Sequence, residues 1–225
     1  QDAYHGHAII YTDEISNRKL RPYITYPQGN FASPVFHGER PDPMPHYEMT
    51  GNPVSMAFSE QSPPVKMRSF KLYQDTKKIR DVKILDKDND PNRLLTERQF
   101  ALFPLQPLEY DTDYRAVFEY RQNGKDRTAE WTFSTQKPDY PYFIVKGGET
   151  LAIESGQKYF INWQDFWCLK QCERYNYRTN RDTQIDIIER QAGGIIIRVN
   201  GSKGSSIRLM PEGEDRRAIT LYLWK

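Results

Sequence analysis

The chain has 225 residues, of which 13% are aromatic (fifteen Tyr, eleven Phe, four Trp) and 28% charged. Thirty-two Lys and Arg stand against thirty Asp and Glu, so at a net charge of +2 no global field points toward nucleic acid or an anionic membrane. No apolar run approaches the roughly 18 residues of a membrane-spanning helix, and the longest undivided aliphatic stretch, Ile195 to Ile197, is strand-sized.

The length suits two domains of roughly 100 residues each, and the aromatic side chains are numerous enough to fill two small β cores despite a low mean hydropathy. The start at Gln1, without a basic and then apolar leader, fits a mature secreted chain or a fragment of a longer one. Residues 1–53 read as a lead-in. Its first part holds one strand signal, Ala8 to Thr12, and from Phe31 to Pro53 it carries Pro34, Pro41, Pro43, Pro45 and Pro53 with Gly38 and Gly51. Proline at that density forbids helix and favours extended or turn backbone, so a strap along a surface is expected.

Val54, Met56 and Phe58 alternate with Ser55 and Ala57, the period of a half-buried strand, and the first sheet is expected to begin there. The same period recurs in Met67 to Tyr73, Val82 to Leu85, Gln99 to Pro104, Asp113 to Tyr120 and Thr128 to Ser134. Turn-rich connections such as Gln122-Asn123-Gly124-Lys125 separate them, which predicts a β-sandwich over 54–136. The last two strands read as a hairpin with Trp131 in the core. Lys137-Pro138-Asp139-Tyr140-Pro141 predicts a stiff linker over 137–141. A second sandwich follows over 142–225. Its strands are expected at Tyr142 to Lys146, Thr150 to Glu154, Lys158 to Trp163, Thr183 to Glu189, Gly194 to Asn200, Ser205 to Met210 and Ala218 to Trp224. Gln164 to Tyr177 is left as a long irregular insertion. The fold class is therefore all-β, two consecutive β-sandwich domains preceded by an extended proline-rich strap.

A family resemblance rests on Pro22-Tyr23-Ile24-Thr25-Tyr26-Pro27, on Pro34-Val35-Phe36-x-Gly38-Glu39-x-Pro41-Asp42-Pro43-x-Pro45 and on Gly51-Asn52-Pro53-Val54-Ser55-Met56-x-Phe58. Downstream, Phe70-Lys71-Leu72, Leu85 to Asn92, Phe100 to Leu108, Thr112-x-Tyr114 and Trp131-x-Phe133-x-Thr135 continue it. Over about residues 20–136 the chain resembles the region that follows the CAP (cysteine-rich secretory) domain in a group of bacterial secreted proteins. That resemblance implies export, an Ig-like sandwich and a companion domain upstream. The CAP domain and its cleft histidines have no counterpart here, so no CAP activity or metal site is carried over. The resemblance does not extend to residues 142–225, which stay unassigned to a family.

Asp86, Asp88 and Asp90 alternate, and Glu97 falls at the twelfth place counted from Asp86, the spacing of a helix-loop-helix calcium loop. Pro91 replaces the glycine of the sharp turn and neither flank is helical, so a solvated turn capped by its own Asp and Asn side chains competes with calcium. His5 and His7 supply two imidazoles without a third donor, and His37 and His46 read as surface residues. No Gly-x-Ser-x-Gly elbow is present, and no histidine follows residue 46, which excludes a Cys-His or Ser-His catalyst inside the second domain.

Cys168 and Cys172 form one disulfide closing a tight loop or stand as two free thiols. Around them Trp163, Phe166, Trp167, Tyr175, Tyr177 and Arg178 concentrate rings and polar groups. Such a loop suits stacking on sugar rings or anchoring a protein partner; alternatively Trp163, with Phe166 or Trp167, plugs one end of the sandwich core. The expected function is that of a non-enzymatic, cofactor-free binding protein of the extracellular or periplasmic space, with a protein or glycan partner at the cell surface. A self-associating subunit of a surface assembly is the alternative, and a hydrolase the least favoured.

Overall fold

The computed structural model describes residues 22–166, 174–180, 182–191 and 193–225. The chain divides into two compact units that part between Lys137 and Pro138. Both are built of strands, and among the described residues the single helical element is a 3-10 turn at Asp215–Arg217. No helix among them is long and apolar enough to cross a membrane.

The first unit holds β1 (Tyr23–Tyr26), β2 (Gly29–Ala32), β3 (Val35–Phe36), β4 (Thr50–Gly51), β5 (Val54–Phe58), β6 (Val65–Gln74), β7 (Lys77–Lys78), β8 (Val82–Leu85), β9 (Gln99–Pro104), β10 (Asp113–Gln122) and β11 (Lys125–Thr135). One sheet runs β1-β5-β9-β8 and the other β2-β11-β10-β6-β7, with β3 and β4 as a separate ribbon. β1 pairs antiparallel with β5, whereas β2 pairs parallel with β11, so the first edge of the chain is shared between the two sheets of an Ig-like sandwich. The β10–β11 hairpin turns on Asn123 and Gly124, both at positive φ (52° and 75°), the geometry that lets two twisted strands meet across a two-residue loop.

Period-two alternation decides which side chains meet between the sheets. Tyr114, Ala116, Phe118 and Tyr120 of β10 are buried with Met56, Phe58, Phe70, Leu72, Phe100 and Leu102. Trp131 departs from its expected place: it lies against this core beside Phe70, at 5.9 Å between ring centroids, but is only half-buried.

The lead-in expected over 1–53 is corrected from Tyr23 onward. β1 and β2 belong to the sandwich itself, and the first sheet begins before Val54. These segments escape period-two detection because each is short and carries prolines at its ends. The strap is also more than a surface strip. Phe36 and Met44 are buried with Leu85, Ala101 and Phe103 in a second small core, and Asn92 donates its side-chain amide to the Asp42 carbonyl at 2.7 Å. The predicted strand Ala8 to Thr12 lies outside the described residues.

The second unit holds β12 (Tyr142–Val145), β13 (Thr150–Ile153), β14 (Lys158–Trp163), β15 (Tyr175–Thr179), β16 (Gln184–Gln191), β17 (Gly194–Asn200), β18 (Ser206–Pro211) and β19 (Ile219–Leu223). Its sheets run β12-β14-β17-β16 and β13-β19-β18-β15, again an Ig-like pair. β12 runs parallel to β14 and β13 parallel to β19, so the chain reverses between them at Gly147 and Gly148, both at positive φ. A Cβ on Gly147 would lie 2.1 Å from the Arg216 carbonyl oxygen, which leaves glycine as the residue that fits. The core of this unit is aliphatic, with Ile153, Ile161, Ile195, Ile197, Ile207, Leu209, Leu221 and Leu223 around Trp163.

Phe118→Ala removes the ring at the centre of the first core, and large-to-small changes of this kind cost about 3–5 kcal/mol. Its urea midpoint is expected to fall well below that of the parent chain; a midpoint within error of the parent would contradict the packing described.

Candidate functional site

β14 ends the buried run of the second unit at Trp163. The indole is 0% exposed and donates its Nε1–H to the Arg217 carbonyl at 2.8 Å, with its ring 5.6 Å from that of Tyr175. A turn follows in which Asp165 takes φ 56°, and Phe166 then lies half-buried under the Arg217 guanidinium, 4.7 Å from the ring centroid. Arg217 is itself held by the Gln164 carbonyl at 2.9 Å. Trp163 is thereby corrected as a contact residue, because its ring is spent inside the sandwich, and Tyr175 packs on it with only its margin left at the surface. Trp167, Cys168 and Cys172 lie outside the described residues, and with them the disulfide and free-thiol readings.

The insertion expected over Gln164 to Tyr177 ends in a strand, β15, that pairs with β18. Its sequence, Tyr-Asn-Tyr-Arg-Thr, shows no apolar alternation because β15 is an edge strand, exposed from Asn176 to Thr179. β16 is the edge of the opposing sheet. Between these edges lies an open cleft of about 400 Å³ lined by Arg174, Tyr175, Tyr177, Ile185, Ile187 and Arg190. Tyr177 is half exposed there, and burial, partly offset by the nearby Arg190 charge, pushes the Tyr175 phenol up to about 12.

On the outer face of the same sheet, register sets Arg178 of β15 directly opposite Arg208 of β18. Both are exposed. Among the described residues no carboxylate lies within ion-pair distance of either guanidinium, and the one polar contact of Arg208 is with the Met210 sulfur at 3.8 Å. Like charges directly opposite on adjacent strands repel, so this pair is an anion-seeking feature of the surface. Sequence reasoning singled out Arg178 and missed Arg208, Arg190 and the two isoleucines. The signal was the exposed position of Arg208 in an otherwise buried strand, which acquires meaning only when register brings Arg178 beside it.

The remaining candidates resolve by geometry. The Asp86 carboxylate accepts the backbone N–H of Asp88 and Asn89, and Asp90, 5% exposed, accepts those of Asn92, Leu94 and Leu95. Those oxygens close the loop upon itself as Asx turns, which is the competing reading of that stretch. Among the described residues no group of three or more His, Cys, Asp or Glu side chains is placed to hold a metal ion. His37 and His46 are exposed, and His5 and His7 lie outside the described residues.

The chain matches no protein-family model and no curated protein. Among solved structures it is similar to a titin fragment (A168169), at 9% identity and TM-score 0.25, covering 88% of this chain and 95% of that one. It is also similar to domains 4 and 5 of the S-layer protein SbsC, at 11% identity and TM-score 0.25, covering 91% and 97%. A Parabacteroides merdae β-glucuronidase matches at 10% identity and TM-score 0.26, covering 90% of this chain and 25% of that one.

The raised Tyr175 pKa has a defined consequence for stability. A phenol held neutral by the fold contributes stability in full below its unfolded value near 10, and loses it as pH rises through about 12. Tyr175→Phe is therefore expected to flatten the fall in the second unit's denaturation midpoint between pH 10 and pH 12. Parallel curves for the two proteins would show that Tyr175 is not buried as described.

Asp90→Ala strips the acceptor from three backbone N–H groups and is expected to lower stability by about 2–3 kcal/mol. Millimolar calcium, by contrast, is expected to leave the thermal midpoint of the parent chain unchanged.

Proposed function

We propose that the chain is a non-catalytic binding module of an extracytoplasmic compartment, and that its second unit engages an acidic glycan on the outer face of β15 and β18. The observation that carries this reading is the Arg178–Arg208 pair, two exposed arginines set opposite each other by register with no carboxylate among the described residues within ion-pair distance. A uronate or sulfate group set between them relieves the repulsion and is held by charge-assisted hydrogen bonds.

A non-catalytic role is supported by the carboxylates themselves. A glycosidase of the two-carboxylate kind needs an acid held protonated near neutral pH, whereas Glu119 and Glu149 both move down. Glu119 is held down by hydrogen bonds from Lys71 and Ser69. For Glu149 burial acts upward, but backbone N–H groups of Lys146 and Gly147 donate to its oxygens and outweigh it. Export, and kinship with the region that follows CAP domains, rest on the proline motifs. These lie with the downstream motifs in one folded unit, joined by the Asn92–Asp42 contact.

Glycan-array screening with uronate- and sulfate-bearing oligosaccharides tests the reading. The parent chain is expected to bind a subset of them, weakening as salt rises, and Arg178→Glu with Arg208→Glu is expected to reduce binding by at least about tenfold. Equal binding by the double variant would refute the site, and preference for an acidic peptide over every acidic glycan would assign the same face to a protein partner. A subunit of a surface assembly is the second reading, favoured by the exposed edge strand β15; it requires a particle size by light scattering that grows with concentration.

A further inference from the structure

The first unit carries a second, independent feature at the opposite kind of edge. β11 is 11 residues long, yet β2 pairs with it only at Phe133 and Thr135. The chain leaves β1 for β2 at Pro27 and Gln28, where Gln28 folds back to donate to the Thr25 carbonyl at 3.1 Å, and β2 therefore meets β11 late. From Asp126 to Thr132, β11 has a neighbour on one side only among the described residues. Parity says which backbone groups are left over. The hairpin closes on the Gln122–Lys125 pair, and Thr135 N–H reaches the Thr112 carbonyl at 3.0 Å while Gln136 N–H reaches Ala32 at 2.8 Å. Odd positions thus bond inward to β10, and Asp126, Thr128, Glu130 and Thr132 direct their N–H and C=O outward.

Under that free edge lies a cleft of about 500 Å³, lined on one side by Glu130, Trp131 and Thr132 and on the other by Tyr23, Thr25 and Gln28. Trp131 contributes an indole Nε1 that is buried and, among the described residues, has no hydrogen-bond acceptor. A buried donor left without a partner costs about 1–3 kcal/mol, which an incoming acceptor would recover. Exposed apolar side chains stand on the two strands that border the cleft, Ile24 (58%) on β1 and Phe31 (83%) on β2. On the solvent face β11 carries Asp126 and Glu130, separated by Thr128; on the β10 side Glu130 meets Arg115 at 3.2 Å and Asp126 lies 4.0 Å from Arg121, so their remaining acceptor capacity faces the open edge. No proline interrupts this stretch and its pairing with β10 is free of bulges, so neither of those two protections of an edge operates here.

We propose that the edge of β11 from Asp126 to Thr132 receives an extended segment of a partner protein by strand addition. The segment alternates. One set of its side chains turns into the cleft, where an amide or hydroxyl accepts the Trp131 Nε1–H between apolar neighbours, and the other set is basic and faces Asp126 and Glu130. Main-chain hydrogen bonds to Thr128 and Glu130 supply affinity, and the cleft and acidic face supply selectivity.

Selection of a displayed random heptapeptide library on the whole chain tests this. Enriched peptides are expected to alternate Lys or Arg with inward residues that include Ser, Thr, Asn or Gln, and to slow amide exchange at Asp126, Thr128, Glu130 and Thr132. Trp131→Phe keeps an aromatic ring beside Phe70 and removes the donor, and should weaken those peptides by about tenfold with the fold retained by circular dichroism. Thr128→Pro, which deletes an outward N–H and leaves the β10 ladder intact, should abolish binding, with the fold checked by circular dichroism. Absence of enrichment, protection at other amides, or equal binding by Trp131→Phe would overturn the proposal. Protection of the same amides in the free protein together with a doubled mass would replace the partner by a second copy of this chain.

Discussion

The ring of Phe118 sits where the sheets of the first unit meet, and it fixes more than its own strand. Phe70 and Phe100 approach it at 5.1 Å, Tyr120 at 5.6 Å and Phe58 at 6.1 Å, so rings from β5, β6, β9 and β10 share one tilted and edge-to-face cluster. A slip of β10 by one residue would bring Val117 or Glu119 into that place and turn every buried ring of the strand to water. The same parity arranges the outer face. Glu119 there receives the Lys71 ammonium at 2.8 Å, and Arg115 lies over the Tyr73 ring at 4.6 Å while reaching Glu130 at 3.2 Å. These surface pairs contribute little to stability individually, since exposed ion pairs amount to about 1 kcal/mol or less. Register is set by the rings, and the charges follow it.

Where apolar residues alternate, or run together between turn residues, the amino-acid sequence suffices to place a strand. Val54 to Phe58, Val82 to Leu85, Gln99 to Pro104, Lys158 to Trp163 and Gly194 to Asn200 coincide with β5, β8, β9, β14 and β17. Legibility fails in three physical situations. β1 and β2 are short and carry side chains exposed by their edge position, so no apolar period exists to be read. β15 likewise mixes Tyr, Asn and Arg, since its outer side meets solvent. Trp163 fails for another reason: its place in a ring-rich, charged stretch suggests contact with a partner, but burial depends on the Arg217 carbonyl 54 positions along the chain, and no local pattern announces that acceptor.

The proline strap shows how an irregular stretch earns a place in the fold. Extended backbone without ladder partners must satisfy its polar groups elsewhere, and the segment from Phe36 to Thr50 does so piecemeal. Asp42 accepts the Met44 N–H at 2.8 Å, Tyr47 N–H reaches the Met44 carbonyl at 2.9 Å, and Thr50 pairs with Phe36 in the β3–β4 ribbon. Met44, 1% exposed, then anchors the strap against Leu85 and Phe103. The aspartates of the following loop complete the arrangement, because Asp90 orders the backbone that presents Asn92 to the strap. Asp86 and Asp90, which look like metal ligands in the sequence, are thus committed to backbone donors.

Both surfaces singled out here are consequences of how an Ig-like sandwich ends. Inside a sheet every strand has two neighbours, so backbone groups are paired and side chains are assigned to core or solvent. At an edge one neighbour is missing, and whatever the strand carries there is available. β15 is short and its side chains from Asn176 to Thr179 are exposed, so what it offers is charge, placed beside Arg208 by its pairing with β18. β11 is long and regular, anchored along its whole length by β10, so what it exposes is backbone. A rigid strand held by ten register pairs and offering hydrogen bonds on its other side presents them preorganised, at little further cost in conformational entropy. Edge charge therefore suits a ligand recognised by its anions, and edge backbone suits one recognised by its own extended chain.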